Sequence, residues 1–297
     1  CLVLCLVMAF YQLATDLVPL PRLESLAPTI VEQRTAPAGR LMRLNALMVE
    51  PSFLAIYLAF AYMALDRLWQ GPAKAKLALK GASLLVMALT YSLSGVGVWA
   101  AYMGFKYLSL LRYRRWFKRI ALAAAGVILL GVALAFFTGW DTPARYAQYV
   151  QARLQKSIDV VATGKLTDTT SEGQRAGAIY LAIFYVRHEN PLWGEGYSSS
   201  NEWVNRHFAT VGGYVHNLYS YIIISVGLVG LGLYINFLSS FRLPLLRHGD
   251  PCHRAYLFAW LVAAMAIGHL IFYYYWGYLY LLYFSRLADH RAPSLHG

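Results

Sequence analysis

Acidic side chains are scarce in this chain. It has 14 Asp and Glu among 297 residues, against 26 Lys and Arg, and charged residues of both signs make up only 13 %. That is about half the share of an ordinary soluble domain. No D-x-D occurs, and the carboxylates do not cluster. Cysteine is almost absent too. Cys1 and Cys5 lie in one apolar run and Cys252 in a basic loop, so neither a disulfide framework nor a metal-ligand spacing is available. Alternating apolar and polar residues of the barrel type are missing. A basic n-region and a cleavage signature are also missing, which excludes a secretory signal. The chain opens at Cys1 inside an apolar run, as expected of an N-terminally truncated piece of a longer multi-span protein.

What is present is apolar. Hydrophobic residues make up 59 %, and mean hydropathy is +0.46. Apolar runs recur with short charged breaks, the pattern of an all-α integral membrane protein. The length criterion predicts about eight spans, near 1–18, 51–66, 77–92, 95–111, 120–138, 217–240, 255–271 and 272–287. Basic residues fill the loops around Arg67, Lys74, Lys76 and Lys80, around Arg112 to Arg119, and around Arg242, Arg247 and Arg254, and they follow the last span at Arg286 and Arg291. Threading eight spans puts all four clusters on one side, which makes that side cytoplasmic. The net charge of +12 is then mostly topology. Split among short loops, it forms no contiguous surface for nucleic acid. Residues 1–297 read as a single polytopic membrane domain, with an extracytoplasmic loop at 139–216.

Within that loop, Tyr146, Val150, Leu154, Ile158 and Val161 recur at helical spacing, predicting an amphipathic helix on the membrane surface. Ser171 with Gln174 fits a capping box, predicting a second helix from about Glu172 to His188, ended by Pro191. Gly194-Glu195-Gly196 reads as a turn rather than a phosphate loop. Arg175 in the first turn of the second helix, beside free N–H groups, suits a phosphate or diphosphate; it equally fits a solvated arginine beside Glu172. Arg187 lies twelve residues on, about 18 Å along the helix, too far to grip the same phosphate.

Two further patterns stand out. His216-Asn217, nine residues, then Gly227-x-x-Gly230 opens a run of helix-spanning length. This puts His216 at the mouth of a membrane helix and Gly227 about 16 Å deeper. The two glycines, three apart, are expected to share a face that lets a neighbouring helix approach closely. Glu50 precedes Pro51 at the start of another span, where a carboxylate can act as a base or orient a sugar; helix-start chemistry explains the same pair. His269 and Tyr273 to Trp276 read as an aromatic belt or as part of an acceptor path.

In order along residues 40–285, these motifs resemble the O-antigen ligase and O-antigen (exopolysaccharide) polymerase superfamily. The resemblance rests on H-N-x9-G-x-x-G at a span mouth and on Arg175 followed by an apolar helix and Pro191-Leu192-Trp193-Gly194-Glu195-Gly196. It rests also on Glu50-Pro51-Ser52 before a span, and on Leu93-Ser94-Gly95 where ligases carry Ser-Arg. It implies a C-type glycosyltransferase-like helical membrane enzyme of the bacterial inner membrane, with its active site facing the periplasm. It further implies an undecaprenyl-diphosphate-linked glycan donor, inversion at the anomeric carbon, and no metal or other cofactor. The acceptor would be a second lipid-linked glycan in a polymerase, or lipid A core in a ligase; a chain-length regulator is an expected partner. Glu50, Arg175 and His216 become catalytic candidates. Arg40, Arg43, Arg175, Arg187, His216 and Asn217 become donor- or sugar-binding candidates, with Arg175 and His216 expected at one outer cavity. Gly95 in place of the ligase arginine, together with Glu50-Pro51-Ser52, tilts the reading toward a polymerase. A lipid-linked glycan flippase is the alternative of a different class, and polar residues gathered at the outer mouths rather than at mid-bilayer speak against it.

Overall fold

The computed structural model describes residues 2–17, 46, 48, 51–90, 92–108, 148, 151–152, 155, 158–163, 171–196, 199–207, 215, 217–246 and 251–265; for 16–17, 93, 108, 171–176, 201, 241–246 and 251–254 it describes the backbone alone. Among these residues the structure is all-helical, with no strand. The helices are α1 (Leu2–Leu17), α2 (Pro51–Leu68), α3 (Ala73–Leu89), α4 (Leu93–Leu108), α5 (Ser171–His188), α6 (Ser200–His207), α7 (Leu218–Leu246) and α8 (Pro251–Ala264). The chain divides into two compact units, one of 1–148, 250–259 and 274–297 and the other of 149–249 and 260–273.

In the first unit α2 is central. Leu54 to Ala61 are buried without interruption, so every face of the helix is covered, which an all-apolar helix requires. Pro51 opens it, its fixed φ suiting a first helical position. Pro72 precedes α3, and its carbonyl accepts from Lys76 N at 3.1 Å. Thr90 closes α3 through Oγ1, which donates to Met87 O at 2.6 Å. The contact of α2 with α4 is set by Gly95. A Cβ there would stand 2.4 Å from Ala55 Cβ and 2.5–2.6 Å from its backbone. The position where the family likeness expects an arginine is therefore a backbone-on-backbone helix contact with no space for a side chain.

Asp66, at the end of α2, joins three helices. Its carboxylate accepts from Lys80 of α3 and Lys106 of α4 and, at 2.7 Å, from the Tyr102 hydroxyl. Its backbone carbonyl accepts from Lys76 Nζ at 2.9 Å. Part of the positive charge that the sequence assigns to loop topology is thus neutralised inside a helix junction.

The second unit packs around Val160, Ala178, Leu181, Tyr185, Trp203, Val204, Val215, Tyr221 and Ile224. Val160 faces inward, while Ile158 and Val161 of the predicted apolar stripe are exposed; Tyr146, Val150 and Leu154 lie outside the described residues. Helix α5 covers the predicted range. In α7 the stretch Leu218–Ser240 is long and apolar enough to cross a membrane, and only 28 % of its most apolar window is buried by protein. Among the described residues the other apolar helical stretches, Leu2–Thr15 and Ala255–Ala264, are shorter. The predicted spans near 120–138 and 272–287 lie outside the described residues.

Candidate functional site

The second unit brings together two of the sequence motifs. Helix α7 is interrupted at Gly227, whose φ of 69° and ψ of −171° are not helical. This region of backbone space is essentially restricted to glycine. A break frees carbonyls at the end of the first half-helix and N–H groups at the start of the second, and buried backbone groups must find partners. The loop after α5 supplies them. Glu195 N donates to Ile224 O and Gly196 N to Ser225 O, both at 2.8 Å; Leu228 N donates to Pro191 O at 2.7 Å and Val229 N to Leu192 O at 3.2 Å.

Two glycines permit this docking. A Cβ on Gly194, at φ 72°, would meet the Ser225–Gly227 backbone at 2.6 Å, and one on Gly227 would meet Leu192 O at 2.2 Å. Gly227 and Gly230 therefore do not present the shared face that unbroken helical spacing implies. What approaches Gly227 is a loop, and what crowds Gly230 is Val226 of its own helix. Pro191 to Gly196 is the turn expected from sequence, with the added task of filling a broken helix.

The loop is held from behind by polar side chains. The Tyr185 hydroxyl, buried at the end of α5, lies 3.2 Å from Asn190 O and 3.3 Å from Glu195 Oε1 and donates to these acceptors. Glu195 also pairs with Arg206 of α6 at 3.4 Å. Glu189 Oε1 accepts from Trp203 Nε1 at 3.4 Å and lies 3.5 Å from His207 Nε2. Burial pushes the Tyr185 phenol up to about 12, and the charge and hydrogen bond of Glu195 and the charge of Glu189 act in the same direction. The phenol is thus a persistent donor to the loop. Sequence reading passed over Tyr185, Glu189 and Arg206 and took Glu195 only as part of a turn; the only signal was the density of polar residues around P-L-W-G-E-G.

No family model, no curated protein and no solved structure matches this chain.

Asn217 is 2 % exposed and caps α7: its Oδ1 accepts from Tyr219 N at 3.0 Å and Ser220 N at 3.2 Å. This is the helix-start task that asparagine performs well, and it occupies the oxygen that a sugar hydroxyl would otherwise use. Arg187 is exposed in the last turn of α5. Arg175 lies in the first turn of the same uninterrupted helix, where only its backbone is described. The two arginines keep the twelve-residue separation that bars a shared phosphate. Arg40, Arg43, Glu50 and His216 lie outside the described residues, as does the expected cavity of Arg175 and His216. The neighbours of position 216, Val215 and Asn217, are both buried.

Among the described residues, Ala46 of the segment between Arg43 and Glu50 is held by α1. Gln12 of α1 grips Ala46 with both ends of its amide: Ala46 N donates to Oε1 at 2.8 Å, and Nε2 donates to Ala46 O at 3.4 Å. Ala46 holds a positive φ of 47°, a strained state for a non-glycine residue. Gln12 is itself buried. A glutamine inside an apolar helix is the sequence signal for such a clamp, since a buried amide needs partners. A cavity of about 240 Å³ beside α2, lined by Leu2, Ala61, Ala64, Leu65, Leu68 and Trp69, offers no reactive group. Among the described residues no group of His, Cys, Asp or Glu is arranged to hold a metal ion.

Proposed function

We propose that this chain is a multi-pass glycosyltransferase of the bacterial inner membrane, with about eight spans, that polymerises undecaprenyl-diphosphate-linked oligosaccharide repeats at the periplasmic face. The observation that supports the reading most is the docking of Pro191–Gly196 into the break at Gly227. Two stretches that resemble the family's motifs, separate in sequence, become one structural unit.

In this reading the acceptor hydroxyl oxygen attacks the anomeric carbon of the donor. The bond from that carbon to the diphosphate breaks, and the lipid diphosphate leaves with the electron pair. Arg175, His216, Arg43 and Arg40 stabilise the charge growing on the leaving group. Glu50 takes the hydroxyl proton. His216 beside a diphosphate is held protonated by the neighbouring anion, which makes it a donor rather than a base. Arg187, in the last turn of the loop-bearing helix, and Asn217, at the cap of α7, are the further donor- or sugar-binding candidates.

The broken helix favours a second reading in one respect, because transporters place broken helices around their substrates. There the freed backbone groups coordinate cargo. Here the Ile224 and Ser225 carbonyls and the Leu228 and Val229 N–H groups are taken by the chain's own loop, which favours the enzyme. Incubating the protein in membranes with a lipid-linked repeat unit separates the alternatives. A ladder of products is expected; a single block transferred to lipid A core would indicate a ligase, and translocation without transfer a flippase. Glu50→Gln in the same assay should bind donor and lose transfer, and normal transfer would remove Glu50 as the base.

A further inference from the structure

The covering of α7 changes abruptly at its break. Asn217, Leu218, Ser220, Tyr221, Ile222, Ile224 and Ser225 are buried in the second unit, whereas Val226, Leu228, Val229, Leu233, Ile235 and Phe237 are 37–66 % exposed. The first half-helix belongs to a protein core, and the second presents uncovered apolar surface. At the level of the change, Leu192 and Trp193 of the docked loop are 52 % and 67 % exposed, although their backbone lies against Gly227.

From these facts we infer that the Leu192–Trp193 tip is a membrane-inserted wedge, seated at the lipid–water boundary and continuous with the lipid-facing stripe of the second half of α7. The inference rests on the membrane reading above. Depth supports it. Counting from Gly227, the first charged residue of the run is Arg242, fifteen positions on and about 22 Å along a helix. A hydrocarbon core of about 30 Å with Arg242 at its inner edge leaves Gly227 about 8 Å below the outer edge. Interfacial elements bury their apolar faces to about 5–10 Å, and tryptophan concentrates at this level. A non-helical loop is tolerated at that depth only when its backbone groups are satisfied by protein, which the four bonds to α7 accomplish. Charge is complementary as well. Arg187 and His188, exposed in the turn just before the loop, can meet headgroup phosphates, while Glu195 is paired with Arg206 and Glu189 faces Trp203 and His207.

Spin labels on the full chain in nanodiscs of zwitterionic and anionic phospholipid test this. Trp193→Cys, Leu233→Cys and Glu202→Cys are each placed in a background with Cys1, Cys5 and Cys252 replaced by alanine, and collision with oxygen is compared with collision with a water-soluble nickel chelate. The expected order is water at 202, shallow lipid at 193 and deep lipid at 233. A label at 193 in water or as deep as 233, with 233 in lipid, would overturn the wedge alone and, in the first case, leave sugar stacking as the task of Trp193. A label at 233 outside lipid would overturn the membrane reading and the wedge with it. As a label-free check, the fluorescence lost in Trp193→Phe should be the part quenched more by bromines near the headgroup than by bromines near the chain ends; the opposite preference refutes the wedge.

Discussion

Gly227→Ala is expected to undock the loop from α7. Three costs combine. An alanine at φ 69° and ψ −171° sits in a region that costs about 1–3 kcal/mol. Its Cβ would lie 2.2 Å from Leu192 O and 2.4 Å from Leu192 C. Both are backbone atoms, so no side chain can rotate away, and the loop must move. Movement weakens the four bonds between 191–196 and α7, each worth about 0.5–1.5 kcal/mol net. The sum does not simply add, because the strain disappears once the loop leaves. About 3 kcal/mol is a conservative expectation for the loss of docking free energy, equivalent to roughly a hundredfold in the opening equilibrium. Amide hydrogen exchange followed by mass spectrometry reads this locally. Peptides containing Leu228, Val229, Glu195 and Gly196 should exchange at least about a hundredfold faster, while α2 peptides stay unchanged. Gly232→Ala, in the same helix, serves as the comparison: nothing lies within 4 Å of a Cβ there. Unaltered protection at Leu228 and Val229 in well-folded Gly227→Ala would refute both the break and the loop that fills it.

Gln12→Leu keeps the size of the side chain and removes both bonds to Ala46; the stranded Ala46 N–H should cost about 1–3 kcal/mol, read as lower thermal stability and faster proteolysis within 40–50. Unchanged cleavage there would show that Gln12 does not anchor the segment. Gly95→Ala should destabilise by about 1–3 kcal/mol through overpacking against Ala55, and Gly95→Arg should fail to accumulate; normal stability of the arginine variant would mean that α2 and α4 are not in backbone contact. Because the Tyr185 phenol ionises near 12 in the folded protein and near 10 when unfolded, its contribution is full below pH 10 and is lost as pH rises from 10 to 12. Protection of the 191–196 amides should fall across that window, and Tyr185→Phe should abolish the dependence; a fall of equal size in the phenylalanine variant would assign it to another group.

Residue order and hydropathy were enough to predict helices throughout the described residues, the extent of α5, the start of α2 at Pro51 and the turn at Gly194–Gly196. These features depend on local spacing, capping and turn chemistry, which act within a few residues and can be read without neighbours. The partners of those residues were another matter. Gly227 and Gly230 have the spacing of a helix-packing pair, yet Gly227 breaks the helix, because a loop from some thirty residues earlier supplies backbone groups that make the break tolerable. Gly95 resembles a missing arginine in sequence and is a close-packing site in space, because Ala55 of another helix stands where its side chain would go. Lys80 reads as a topology charge until it meets the Asp66 carboxylate, which also binds Lys106 where α2, α3 and α4 come together. Periodicity specifies which backbone conformation is favoured along the chain. Only the packed structure decides which distant backbone and charged groups stand near enough to exclude a side chain, complete a hydrogen bond or neutralise a charge.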